Sequence, residues 1–144
     1  MSFRLFALTT VLAGVLPALA QAQSAEDTPR TLHLELNALQ DVGGACRLTF
    51  MARNGTGMTI EKVVFEAVVF DQSGGVVNLS LFDFRELPAD RPRVRQFDLP
   101  DRSCESIGQA LINGANTCRV DGAESDICDA SLSLGSRLSV ELLG

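Results

Sequence analysis

Four sets of residues in this 144-residue chain carry side chains able to do chemistry. The first is the cysteines, Cys46, Cys104, Cys118 and Cys128. A thiol redox centre wants two cysteines separated by two residues, so that one thiolate is activated beside the other, and the chain has no such pair. Structural disulfides are the expected use, as in exported domains. Four cysteines allow three pairings, and sequence does not choose among them. Cys46–Cys104 with Cys118–Cys128 is favoured here. Cys46 faces inward on an early strand and Cys104 follows a later one, so a bridge between them would tie two sheets, while Cys118 and Cys128 would staple the loop they flank. Cys104–Cys118 with Cys46–Cys128 is the second pairing.

The second set is Arg91, Arg93 and Arg95, with Arg85 nearby. Alternate residues of a strand point the same way, so three guanidiniums at this spacing form a ladder suited to carboxylates or other planar anions. They are the candidate docking site for an acidic partner. The competing reading is a charged guard on an edge strand, paired to Glu61, Glu66 or Asp83. Phe97 and Leu99 share the arginines' parity and should be buried, so the strand is expected to bulge, or the arginines to lie beyond the sheet's end.

The third set is His33, the only histidine. Its parity is opposite to that of Leu32 and Leu34, which makes it a surface residue rather than a catalytic base or metal ligand. The fourth is Asp121, Glu124, Asp126 and Asp129, between and beside the last two cysteines. Hard oxygen ligands on a stapled loop suit Ca²⁺, but the spacing matches no EF-hand, and a solvated acidic loop is the expectation. No nucleophile elbow, phosphate-cradling loop or His-Glu-x-x-His helix occurs. The sequence therefore predicts no enzyme, no cofactor and no metal.

These residues must be positioned by strands. Residues 1–22 read as a secretory signal peptide: a basic start at Arg4, an apolar run from Leu5 to Ala20, and small-x-small cleavage patterns ending at Ala20 and Ala22. Residues 23–30 form a flexible lead-in, and 31–144 a single domain. No second long apolar run follows, so no membrane span is expected after cleavage. The formal net charge is −6, and an acidic chain disfavours nucleic acid and anionic lipid as partners. The expected location is periplasmic or secreted.

Within the domain, Leu32, Leu34 and Leu36 share one face of a strand over 31–37, and Cys46, Leu48, Phe50 and Ala52 one face of a strand over 45–53. Residues 60–70 are apolar on both faces, as in a strand inside a sheet. A glycine-bearing turn at 71–75 leads to a returning strand, 76–84. Two prolines exclude 85–92 from a central strand, and 93–99 resume one. Residues 101–117 are ambiguous: Ile107, Ala110 and Leu111 fit a short helix that Ser103 could cap, while 109–113 fit a strand equally well. Leu132, Leu134, Leu138, Val140 and Leu142 lie on one parity of a final strand. Short strands with turn signals every eight to twelve residues predict a sandwich or barrel. The part after residue 22 has phenylalanines but neither tyrosine nor tryptophan, which argues against a lectin-like recognition surface.

Arg53-Asn-Gly-Thr56, Val68-Val-Phe-Asp71, Gly74-Gly-Val-Val77, Leu87-Pro-Ala-Asp90 and Phe97, in that order, resemble the FxLYD-type immunoglobulin-like domains of bacterial envelope proteins. The resemblance covers roughly Arg53 to Leu99. The signature strand end reads Ala67-Val-Val-Phe-Asp71 here, and Ala89-Asp90 stands where the family has Pro-Gly. The cysteine-bearing C-terminal third departs from the family. The resemblance implies an all-β, immunoglobulin-like antiparallel sandwich of about seven strands and supplies no catalytic residues. The expectation is a disulfide-bonded, non-catalytic binding or accessory module of the cell envelope, with another envelope protein as partner. The alternatives are a small-ligand carrier with an internal apolar cavity and an enzyme of unrecognised type.

Overall fold

The computed structural model describes residues 29–144. The signal peptide read over 1–22, and most of the lead-in over 23–30, lie outside the described residues. Nine strands, β1 (Leu32–Val42), β2 (Ala45–Asn54), β3 (Ile60–Asp71), β4 (Val76–Leu87), β5 (Arg93–Pro100), β6 (Ile107–Val120), β7 (Ala123–Glu124), β8 (Leu132–Ser136) and β9 (Glu141–Leu143), build two sheets. One has the order β5-β2-β1-β8. The other runs β4-β3-β6-β7, with β9 also paired to β6. The two sheets form an immunoglobulin-like β-sandwich.

The alternation of the first two strands sets their inward face. Leu32, Leu34, Leu36, Cys46, Leu48, Phe50 and Ala52 are all buried. Gly43 and Gly44 both take positive φ, 53° and 83°, and join β1 to β2 with Val42 opposite Ala45. A two-residue hairpin needs both central residues in that region, and its twist then matches the strands. β3 lies between β4 and β6. Val63, Phe65, Ala67 and Val69 face the core, and Val64 and Val68 on the other face are shielded almost as well. Phe50, Phe65, Phe82, Phe84 and Phe97 meet between the sheets, mostly edge to face at 5.5–6.0 Å, with Phe82 and Phe97 stacked at 4.2 Å. Aromatic quadrupoles favour such edge-on and offset contacts.

The ambiguous segment after residue 100 resolves into a single 3-10 turn, Cys104–Ser106, followed by the longest strand, β6. Ser103 makes no side-chain cap; its carbonyl instead accepts from the Ser106 amide and hydroxyl. The final segment is also not one strand. Residues Leu132–Ser136 pair in parallel with β1, and Glu141–Leu143 pair in parallel with β6 in the other sheet. The Ser136 hydroxyl accepts from the Leu138 amide and donates to the Val140 carbonyl, which holds the crossing between sheets. Strand count and these two parallel pairings thus differ from an all-antiparallel sandwich of about seven strands.

Candidate functional site

Two disulfides are formed. Cys46–Cys104 joins β2 to the 3-10 turn that leads into β6, so it links one sheet to the approach of the other. Cys118–Cys128 joins β6 to a single helical turn, α1 (Ile127–Ala130). No described cysteine is free.

His33 lies on the outer side of β1, with Nδ1 3.0 Å from the Ser133 hydroxyl of β8. Its ring fills the space above Gly135, where an added Cβ would come within 3.3 Å of it. The acidic residues do not converge. Asp121, Glu124, Asp126 and Asp129 are all exposed, and Asp129 Oδ1 accepts from the Ala115 amide at 2.8 Å. Among the described residues, no group of three or more His, Cys, Asp or Glu side chains is arranged to hold a metal ion.

The arginines lie where the edges of the two sheets come together. β5 ends one sheet and β4 ends the other. β5 pairs with β2 without interruption from Ala45↔Pro100 to Ala52↔Arg93, so the expected bulge is absent and only Arg91 lies beyond the strand. Arg93 and Arg95 therefore keep the inward parity of Phe97 and Leu99, and the gap between the sheet edges accommodates them. Arg95 reaches across it. Its Nε donates to the Phe84 carbonyl at 2.6 Å and its Nη2 to the Glu86 carbonyl at 2.9 Å, both on β4. Burial, and then the charges of Arg85 and Arg93, push this guanidinium below its ordinary pKa, with Asp83 acting in the opposite direction.

The carboxylates expected to neutralise this group are engaged elsewhere. Glu61 accepts from the Gly122 amide, Glu66 from Asn113, and Asp83 lies 3.8 Å from Lys62 while also accepting from the Arg85 amide. The ion pairs among the described residues are Arg47–Asp98 and Lys62–Asp83. Among the described residues, Arg85, Arg91, Arg93 and Arg95 have no carboxylate partner within ion-pair distance. Arg85 and Arg91 are exposed and Arg93 half-exposed. The structure thus separates the three candidates: Arg95 fastens the two sheet edges, and Arg91 and Arg93, with Arg85, remain available to an anion.

A buried polar network underlies the same end of the sandwich. Asn54 and Thr56 are the buried polar residues of the core. Asn54 Nδ2 donates to the Met58 and Leu87 carbonyls, each at 2.7 Å, and Oδ1 accepts from the Thr56 amide and hydroxyl. The Asp90 amide donates to the Asn54 carbonyl at 2.8 Å. Two of the stretches that carry the family resemblance, 53–56 and 87–90, are joined through this one side chain and its carbonyl, and that co-occurrence was the available signal.

No family model matches the chain, and no curated protein matches it. Among solved structures, IrmA from Escherichia coli superposes with a TM-score of 0.61 at 13% identity, over 73% of this chain and 91% of that one. At that identity the likeness concerns the fold.

Proposed function

We propose that this protein is a non-catalytic binding module of the cell envelope, periplasmic or secreted, that docks an acidic surface of another envelope protein on the arginine rim formed by β4 and β5. The observation that carries the reading is the group of guanidiniums at Arg85, Arg91 and Arg93 with no carboxylate partner among the described residues, in a chain of net charge −6. Arginine presents planar paired donors that suit carboxylates, and a cluster of arginines on an acidic body steers an oppositely charged partner. The two disulfides support an oxidising compartment. The FxLYD resemblance, whose residues include the buried Asn54 network, supports the envelope assignment.

The test is site-specific photocrosslinking from Val94, which is 50% exposed beside the arginines, in cells of the native host. The expected result is one discrete adduct in the envelope fraction that weakens with added salt. It should be lost in an Arg91→Ser/Arg93→Ser double variant that retains the wild-type melting temperature. An adduct unchanged in that variant would refute the arginine rim as the docking surface.

A further inference from the structure

β4 is an edge strand of 12 residues, and its outer side is not uniformly guarded. At one end Arg102 Nη2 donates to the Val77 carbonyl at 3.1 Å; at the other, Arg95 occupies the Phe84 and Glu86 carbonyls. Between them, no side-chain or turn hydrogen bond from the described residues reaches the main chain of residues 78–83. The same stretch pairs with β3 in unbroken register, Asn78↔Val69 through Asp83↔Val64, with irregularities just outside both ends. A regular window of six residues, closed at each end by an irregularity and an arginine, has the length of an ordinary added strand.

The side chains at this rim are unusual for a surface. Of the six large hydrophobic residues exposed among those described, Val76, Leu79, Leu81 and Val94 lie on β4 and β5, and Leu79 and Leu81 are 60% and 55% exposed. Leu79 and Leu81 share one face of the strand, and Arg85 stands four residues beyond Leu81, about 13 Å along a strand at its normal rise. The window therefore offers unpaired backbone groups, two apolar side chains on one face, a single arginine, Arg102, at its Val77 end and the cluster of Arg85, Arg91, Arg93 and Arg95 at the other.

We infer that β4 receives an extended polypeptide segment as an added antiparallel strand across residues 78–83. That segment carries two apolar residues at alternate positions, preceded by acidic residues. Antiparallel pairing brings the segment's N-terminal part opposite the C-terminal end of β4, so the acidic residues meet Arg85, Arg91 and Arg93 as the apolar pair lies beside Leu81 and Leu79. Backbone hydrogen bonds supply affinity in strand addition, while alternate side chains and charge set specificity. This inference rests on the arginine-rim reading and adds to it the partner's conformation and sequence pattern.

The probe is a fluorescent nonapeptide with two aspartates followed by alternating valine and threonine, titrated against the full oxidised domain by fluorescence anisotropy. Two further peptides replace the aspartates with lysines, or carry N-methyl groups on alternate amides so that the edge facing β4 cannot pair. The expected result is saturable binding to the unmodified peptide, weakened at least tenfold by either change and by Arg91→Ser/Arg93→Ser. Strand addition is overturned if the unmodified peptide gives no anisotropy rise up to about 1 mM, the weak end of specific affinities, or if the N-methylated peptide binds equally well. In that second outcome, continued loss of binding in the arginine variant leaves the rim reading standing. If instead the N-methylated peptide fails to bind while both the lysine peptide and the arginine variant bind normally, the rim reading falls, and the acidic part of the partner pattern falls with it. Because the decisive change is in the peptide, the readout is independent of whether any protein variant folds.

Discussion

Asn54→Ala should be among the most damaging single substitutions in this domain. The Asn54 amide is 1% exposed and makes four hydrogen bonds. After truncation, two of its partners retain others: the Thr56 hydroxyl still donates to the Met58 carbonyl at 3.2 Å, which serves both groups. The Leu87 carbonyl and the Thr56 amide lose the side-chain partner shown for each. Each orphaned buried group costs about 1–3 kcal/mol, so the expected loss for the two is about 2–6 kcal/mol. For a domain of this size that corresponds to a fall in Tm of about 10–30 °C. Urea unfolding of the oxidised protein, followed by far-UV circular dichroism, measures the loss directly. Asn54→Asp provides the control, because as a carboxylate it keeps an acceptor for Thr56 but no longer donates to Leu87. Burial against two carbonyl oxygens raises that carboxyl's folded pKa, so the variant's stability falls as pH rises from the unfolded value through the folded one. A loss below about 1 kcal/mol for Asn54→Ala, the range of ordinary surface changes, would show that the network does not hold the 53–56 and 87–90 segments together.

Replacing Cys46 and Cys104 by serine should cost about 4 kcal/mol and replacing Cys118 and Cys128 about 3 kcal/mol on the loop-entropy account, since the bridges close loops of 58 and 10 residues. Urea midpoints of the two double variants check this order, and a reversed order would refute it. The Asp71 carboxyl, which accepts from the Ser73 hydroxyl and the Ser73 and Gly75 amides, is held below the ordinary aspartate pKa, chiefly by the Ser73 hydroxyl. Its contribution to stability is therefore complete above the unfolded pKa and is lost as pH falls through the folded one. A carboxyl-detected NMR titration should show the depressed value, and Ser73→Ala should move it upward.

The strands that were legible in sequence are those whose inward face keeps a strict two-residue period, as with Leu32, Leu34 and Leu36 or Cys46, Leu48 and Phe50. β6 was ambiguous because irregularities break that period. Its pairing to β3 passes from Asp71↔Ile107 to Phe70↔Gln109, leaving Gly108 extra, and further irregularities follow at Asn113 and Asn116. Ile107 and Ala110 consequently both face the core three residues apart, which imitates a helix. Gly108 is required there, since an added Cβ would collide with the Asp71 carbonyl. The last segment misled differently. Both sheets face one core, so a chain crossing from one to the other keeps its inward parity and looks like a continuous strand. The arginines were legible as a group but not in their separate roles, because the carbonyls that Arg95 binds belong to a strand in the other sheet.

The treatment of the sheet edges favours docking over a purely protective role for the rim. On the side of the sandwich away from β4 and β5, the edges are blunted by length: β7, β8 and β9 have two, five and three residues. Short edge strands are a common defence against unwanted pairing. The rim carries long edge strands, β4 with 12 residues and β5 with eight, and its guard is arginine. Defence of a long edge works best with a charge, proline or bulge inside the exposed stretch. Here both the guanidinium bonds and the bulges lie at the ends of the β4 window; within it the one charged residue is Asp83, at the end nearest Arg85, and there is no proline. A guard placed only at the ends leaves the middle open to pairing and fixes where it can begin and stop, which is an arrangement suited to admitting one strand in one register.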